Sequence, residues 1–166
     1  VQEYVSRSVV VGVDESAAAL AALRWAAASA RSLRAPVVAV HAWVPTRALC
    51  APYAPVSELR TPEEDHFHAL NTLNAMVARM LELDPTVEIR ALLDEGAPAP
   101  VLLHHARHAL LLALGRGPRD DVTQPALGPV ARVCVRNAVC PVVTVPEPSS
   151  GNRSLERCRP PEAAMV

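Results

Sequence analysis

Ser8-Val9-Val10-Val11-Gly12-Val13-Asp14 is the segment that decides the fold. An unbroken valine run closed by Gly and Asp reads as a strand covered on both faces, as strands of parallel sheets are. Such a sheet needs crossover helices, and one follows at once. Asp14, Glu15 and Ser16 offer caps and negative charge for a helix running to about residue 34. Its apolar stripe is Leu20, Leu23, Ala27 and Ala30, with Trp25 alongside, and Pro36 stops it. Val37-Val38-Ala39-Val40-His41-Ala42-Trp43 is then a second buried strand.

Downstream the same alternation repeats. Residues 44–60 are expected to form a long loop, because Pro45, Pro52 and Pro55 exclude regular structure. Thr61-Pro62-Glu63-Glu64 is a helix start with a capping-box pattern and Pro at the first helical position. That helix extends to about residue 83 and presents Leu70, Leu73, Val77, Met80 and Leu81. Val87, Ile89, Ala91 and Leu93 alternate with less buried positions, which predicts an edge strand. Gly96 and Pro98 lead into a helix over about 99–108, and Ala109-Leu110-Leu111-Leu112-Ala113-Leu114 reads as a buried strand. A Gly-, Pro- and Asp-rich loop over 115–127 precedes a helix over about 130–137, and Pro141-Val142-Val143-Thr144-Val145-Pro146 is the last strand. The expected organisation is one domain over residues 5–146 and a flexible, Pro-punctuated tail over 147–166.

Composition narrows the class of partner. The chain has 166 residues, 51% of them hydrophobic, which suits one globular domain. A formal charge of −1 and 3% aromatic residues supply neither the basic footprint nor the stacking platforms of a nucleic-acid binder. No apolar run reaches the roughly 20 residues of a membrane span, and no signal-like segment opens the chain, so a cytoplasmic location is expected. Opening on Val1 rather than Met suggests a processed or trimmed chain, or part of a longer one. Cys50, Cys134, Cys140 and Cys158 lie far apart without a CxxC, favouring neither a zinc ribbon nor a disulfide scaffold. His104 and His108 have the four-residue spacing of a metal pair but no third ligand pattern, and no metal is expected.

Strands alternating with helices imply an α/β fold: a three-layer, doubly wound, five-stranded parallel sheet. With strand order 3-2-1-4-5 the order reverses between strands 1 and 4, and ligands of such sheets bind there, outside the carboxyl ends of the strands. The turn Gly12-Val13-Asp14 and the loop Gly115-Arg116-Gly117 would converge on that crevice.

At this point several segments resemble the universal stress protein family. They are Val9-Val10-Val11-Gly12-Val13-Asp14-Glu15-Ser16, Ala22-Leu23-Arg24-Trp25-Ala26, Val38-Ala39-Val40-His41-Ala42-Trp43, Gly96-Ala97-Pro98 and Cys140-Pro141-Val142-Val143-Thr144-Val145. The resemblance covers residues 5–146 and implies an adenine nucleotide alpha hydrolase-like fold of order 3-2-1-4-5, a dimer, a cytoplasmic location and a role in stress survival. It also implies nucleoside contacts at Gly12, Val13, Asp14 and, through the backbone, Ala42. Nucleotide-binding members carry a phosphate loop of the form G-x-x-G-x9-G-[ST]. Here the pattern falls on Leu114, Gly115, Arg116 and Gly117, a spacer of ten residues (118–127), and Gly128-Pro129 ahead of Val130.

The departures weaken the loop. Leu114 adds a side chain where backbone should approach the ligand, and Pro129 supplies neither hydroxyl nor N–H at an anion-binding helix start. Asp120 and Asp121 repel phosphate, while Arg116 and Arg119 could offset them. The expectation is therefore a dimeric regulatory protein with weak or absent ATP binding and no required cofactor; an enzyme, for instance a slow nucleotide hydrolase whose general base is Asp14, ranks last. The alternative is a competent ATP- or AMP-binding switch. No GxSxG elbow, HExxH or P-loop is present, so no catalytic residue is assigned. The homodimer is expected through the last strand, at Val142, Val143, Thr144 and Val145, because an edge strand there exposes unpaired backbone groups.

Overall fold

A computed structural model describes residues 7–49, 60–117 and 127–147. Four adjoining parallel pairings build one five-stranded sheet of order β3-β2-β1-β4-β5. Its strands are β1 (Val9–Gly12), β2 (Val37–Trp43), β3 (Ile89–Glu95), β4 (Leu111–Arg116) and β5 (Val142–Pro146). The helices are α1 (Ala17–Leu33), α2 (Thr46–Leu49), α3 (Pro62–Leu83), α4 (Pro98–Ala106) and α5 (Pro129–Asn137). The strand order implied by the family resemblance is the one observed.

The valine run explains the central position of β1. Val9 and Val11 point into a core shared with α1 and α3, while Val10 points into a second core built with α4 and α5. All three are fully buried. Successive side chains of a strand face opposite sides, so only a strand covered on both faces can be this uniformly apolar. At about 1.5–3 kcal/mol for each fully buried large aliphatic side chain, exposing either face would forfeit more than a small domain can spare.

Local chemistry sets the helix ends. Ser16 Oγ accepts the Ala19 N–H and caps α1. Asp14 lies two residues earlier and instead holds the turn, its Oδ1 accepting the Ser16 N–H at 2.9 Å. At α3, Thr61 and Glu64 form the reciprocal capping box, with Pro62 at the first turn. The small residues Ala18, Ala19, Ala22, Ala26 and Ala30 bring α1 close to the sheet. Gly115 completes that approach: a Cβ there would stand 2.5 Å from the Ala18 carbonyl carbon.

Several expectations need correction. The loop expected over 44–60 contains the helical turn α2. Its N-terminus is held by Asp65 of α3, whose carboxylate accepts the Thr46 N–H at 2.6 Å and the Thr46 hydroxyl at 2.7 Å. The buried face of α3 is Asp65, Ala69, Leu73, Met76 and Met80. Leu81, expected in that stripe, is exposed, while Met76 joins Leu73 and Met80 in the core and Val77 packs against it. Strand β4 starts at Leu111, two residues later than expected, so Gly115 and Arg116 belong to the strand rather than the loop. The edge strand β3 likewise runs on to Glu95. Apart from Glu147, whose N–H donates to Arg116 O, the expected tail lies outside the described residues, as do Cys50, Cys158, Arg119, Asp120 and Asp121.

Candidate functional site

A cavity of about 180 Å³ opens at the carboxyl ends of β1, β2 and β4. Three consecutive strand ends and two helix starts shape it. Gly12, Val13 and Asp14 come from the end of β1, Val40, His41 and Ala42 from β2, and Leu114 and Gly115 from β4. Pro98 and Leu102 of α4, and Val130 and Ala131 of α5, form the opposite wall. Of the candidates named from sequence, Gly12, Val13, Asp14, Ala42, Gly115 and Val130 line this crevice. Arg116, Gly117, Gly128 and Pro129 are not part of its lining.

Leu114 forms part of the floor. It sits opposite Gly12 in the β1–β4 register and is 5% exposed. A Cβ on Gly12 would meet Leu114 Cδ2 at 2.8 Å and both Leu102 methyl groups at 3.1 Å. Two leucine side chains therefore cover the Gly12 backbone. The resulting volume is below the roughly 300–1,000 Å³ of ordinary small-molecule sites.

At the wall, α5 begins without a side-chain cap: Gly128 is the N-cap and Pro129 the first helical residue. The first four N–H groups of a helix lack internal partners and can serve an anion. Pro129 has none to give, and the next two residues, Val130 and Ala131, belong to the cavity lining. Gly117 and Gly128 have open space about their Cα positions among the described residues.

On the opposite side, the β1–β2 ladder ends as the strands separate. Val9 N–H donates to Pro36 O and Val13 N–H to Val40 O, each at 2.9 Å. In a parallel ladder a residue points its N–H and C=O to the same side, so those of Ala42 face the place that β1 vacates after Val13. Neither has a backbone partner there among the described residues. His41 Nδ1 lies 2.8 Å from Val13 O. Sequence reasoning named Ala42 but assigned no role to His41, Leu102 or Pro98. Their convergence depends on strand register and helix docking, which leave no local signal.

Outside the crevice, His105 is buried and its Nε2 lies 2.9 Å from Asp94 Oδ2. This pairs it with β3, and its ring meets that of His104 edge-on with centroids 5.1 Å apart. Cys134 is fully buried and Cys140 half-buried, and both are free thiols whose pKa burial pushes up, which makes them poor nucleophiles. No group of three metal-ligating side chains occurs among the described residues, and no helix among them is long and apolar enough to cross a membrane.

Comparison with known proteins gives a consistent picture. The sequence model of the family described as "Universal stress protein family" matches residues 6–146. Universal stress protein Rv2623 of Mycobacterium tuberculosis is 31% identical over 149 residues, covering 87% of this chain and 49% of the relative. The chain thus spans about half the length of the curated relatives it matches. Among solved structures, the universal stress protein from Archaeoglobus fulgidus in complex with dAMP is 26% identical with a TM-score of 0.57, over 85% of this chain and 98% of that one. A universal stress protein in complex with cAMP shares the fold at 22% identity and a TM-score of 0.60, over 86% and 98% of the two chains.

Proposed function

This chain belongs to the universal stress protein family, and on that premise we propose a non-enzymatic, dimeric regulatory domain of the stress response. Its crevice takes the nucleoside end of an adenine nucleotide and holds a triphosphate weakly or not at all. The Leu114 side chain over Gly12 is the observation that carries the second half of the reading. It fills floor space that the family's glycine would leave for the backbone to approach phosphate. Pro129 then removes one N–H and the family's hydroxyl from the helix start.

The nucleoside half rests on Ala42 and Asp14. An N–H and a C=O on one residue, facing the same way and without a backbone partner among the described residues, match the acceptor and amino donor on the edge of adenine. Asp14 stands at the crevice rim with Oδ1 engaged by Ser16, so Oδ2 is the oxygen suited to a ribose hydroxyl. The dAMP bound by the relative from A. fulgidus belongs to this ligand class. Gly12, Val13, Gly115 and Val130 complete the proposed wall. Arg116, Gly117, Gly128 and Pro129 are the proposed exit path of any phosphate, and Arg116 is the cation available to it.

The proposed dimer forms through β5. Leu112 N–H donates to Pro141 O, and Glu147 N–H donates to Arg116 O. By ladder alternation the odd-numbered N–H groups of β5 face β4, while those of Val142 and Thr144 face outward. Val142, Val143, Thr144 and Val145 would meet their counterparts there, and Pro146 limits further sheet growth. The proposed compartment is the cytoplasm, where thiols such as Cys134 and Cys140 remain reduced.

Calorimetric titration with adenosine, AMP and ATP tests the ligand. Adenosine and AMP should bind with similar affinity, and ATP no more tightly than AMP. Micromolar ATP binding strengthened by magnesium would instead favour the competent switch.

A further inference from the structure

Where β1 and β2 part, one hydrogen bond replaces another. Val13 N–H donates to Val40 O, and regular parallel pairing would next bring Ala42 N–H to Val13 O. That bond is absent from the described backbone, and the Val13 carbonyl meets the His41 ring at 2.8 Å instead. A carbonyl can only accept, so His41 Nδ1 carries the proton, and the lone pair of the neutral ring is on Nε2.

We infer that His41 is a positioning residue of the ligand site: its Nδ1–H holds the Val13 carbonyl turned toward the ring and away from the Ala42 N–H, which stays open as the donor that reads the acceptor nitrogen of a purine base. The side chain of one residue orients the acceptor that the backbone of the next would otherwise use. Strand β2 can then run on to Trp43 while its edge beyond Val40 stays free for a ligand. His41 and Ala42 are both residues of the crevice lining. This role rests on the nucleoside reading above.

Three variants separate the possibilities. His41→Asn places an amide donor near the position of Nδ1, His41→Gln places it near Nε2, and His41→Leu has no donor. In the unliganded protein, long-range nitrogen–proton NMR should show the Nδ1–H form of His41. Amide exchange at Ala42 should be fast in the parent and in His41→Asn, and at least tenfold slower in His41→Leu as the ladder bond closes. For ligand reading, the parent should prefer adenosine over 1-deazaadenosine by about tenfold, one hydrogen bond's worth. His41→Leu and His41→Gln should lose that preference and His41→Asn should keep it.

An Nε2–H ring, or Ala42 exchange unchanged in His41→Leu, overturns the inference whether or not adenosine binds. If adenosine binds and all variants discriminate equally, the ligand role of His41 fails alone. If the parent binds neither nucleoside, the nucleoside reading fails and takes that role with it. Should His41→Leu not fold, the contrast between His41→Asn and His41→Gln still decides the matter.

Discussion

Gly12 and Leu114 are register partners on neighbouring strands, and the leucine side chain lies over the glycine so closely that an added Cβ would stand 2.8 Å from it. The contact makes Leu114 a core residue and a crevice floor at once. Leu114→Ala should open the floor and raise ATP affinity relative to adenosine. It should also lower stability by about 2–5 kcal/mol, as large-to-small core changes do. Titration of the two ligands against both proteins checks the first effect and denaturant unfolding the second; an unchanged ATP-to-adenosine ratio would count against the floor as the obstacle.

Pro129→Ser restores a helix-start N–H and a hydroxyl. A hydrogen bond to a charged group contributes about 1.5–3 kcal/mol, so ATP and AMP should each bind about ten- to a hundredfold more tightly. Adenosine, which has no phosphate, should bind as before. Equal gains for adenosine would mean that the substitution acts on the wall rather than on the phosphate.

Two neighbouring glycines should behave oppositely on unfolding. Gly115→Ala sets a Cβ 2.5 Å from the backbone of Ala18, and neither strand nor helix can yield cheaply. The expected loss is about 1–3 kcal/mol or more. Gly117→Ala meets open space among the described residues and should fall within about 0.5 kcal/mol of the parent. Chemical denaturation of both variants provides the comparison.

Asp65 should contribute an acid-labile part of stability. The Thr46 N–H and then the Thr46 hydroxyl hold its carboxyl below the ordinary aspartate value. A folded-state pKa depressed in this way stabilises the fold above the unfolded value of about 3.9 and loses the contribution as pH falls through the lower folded value. Asp65→Asn should therefore be less stable than the parent near pH 6, with the gap narrowing below pH 4. Denaturation midpoints across that window test this, and a gap that does not change with pH would refute the assignment.

Thr144→Pro removes the central outward N–H of β5 while leaving the ladder to β4 intact, since proline is tolerated at an edge position whose N–H faces solvent. Light scattering should show a dimer for the parent and a monomer for the variant, with unchanged circular dichroism. A parent that is monomeric at micromolar concentration removes the β5 interface.

Much of this protein was legible in its residues because the signals are local. The valine run of β1, the Thr61–Glu64 capping box, Pro62, and the glycines and prolines between elements each act within a few positions, and together they set the β-α alternation. Right-handed crossovers narrowed the topologies, and the family resemblance implied the order that puts a crevice at the end of β1. Leu114 and Pro129 were also visible, because they depart from a loop pattern of fixed spacing.

What only the tertiary structure decided involves residues distant in sequence. Asp65 meets Thr46 across 19 positions and orders a turn inside a segment whose prolines read as loop. Ser16, not Asp14, proved to be the cap of α1, which leaves Asp14 at the crevice rim. The His41 ring reaches the Val13 carbonyl across 28 positions. That bond exists because the β1–β2 pairing ends at Gly12 and Val40 while β2 runs three residues further, to Trp43. Periodicity and capping are properties of neighbouring residues and can be read along the chain. Which side chain takes an orphaned carbonyl is settled by register and packing, and these arise only when the whole sheet forms.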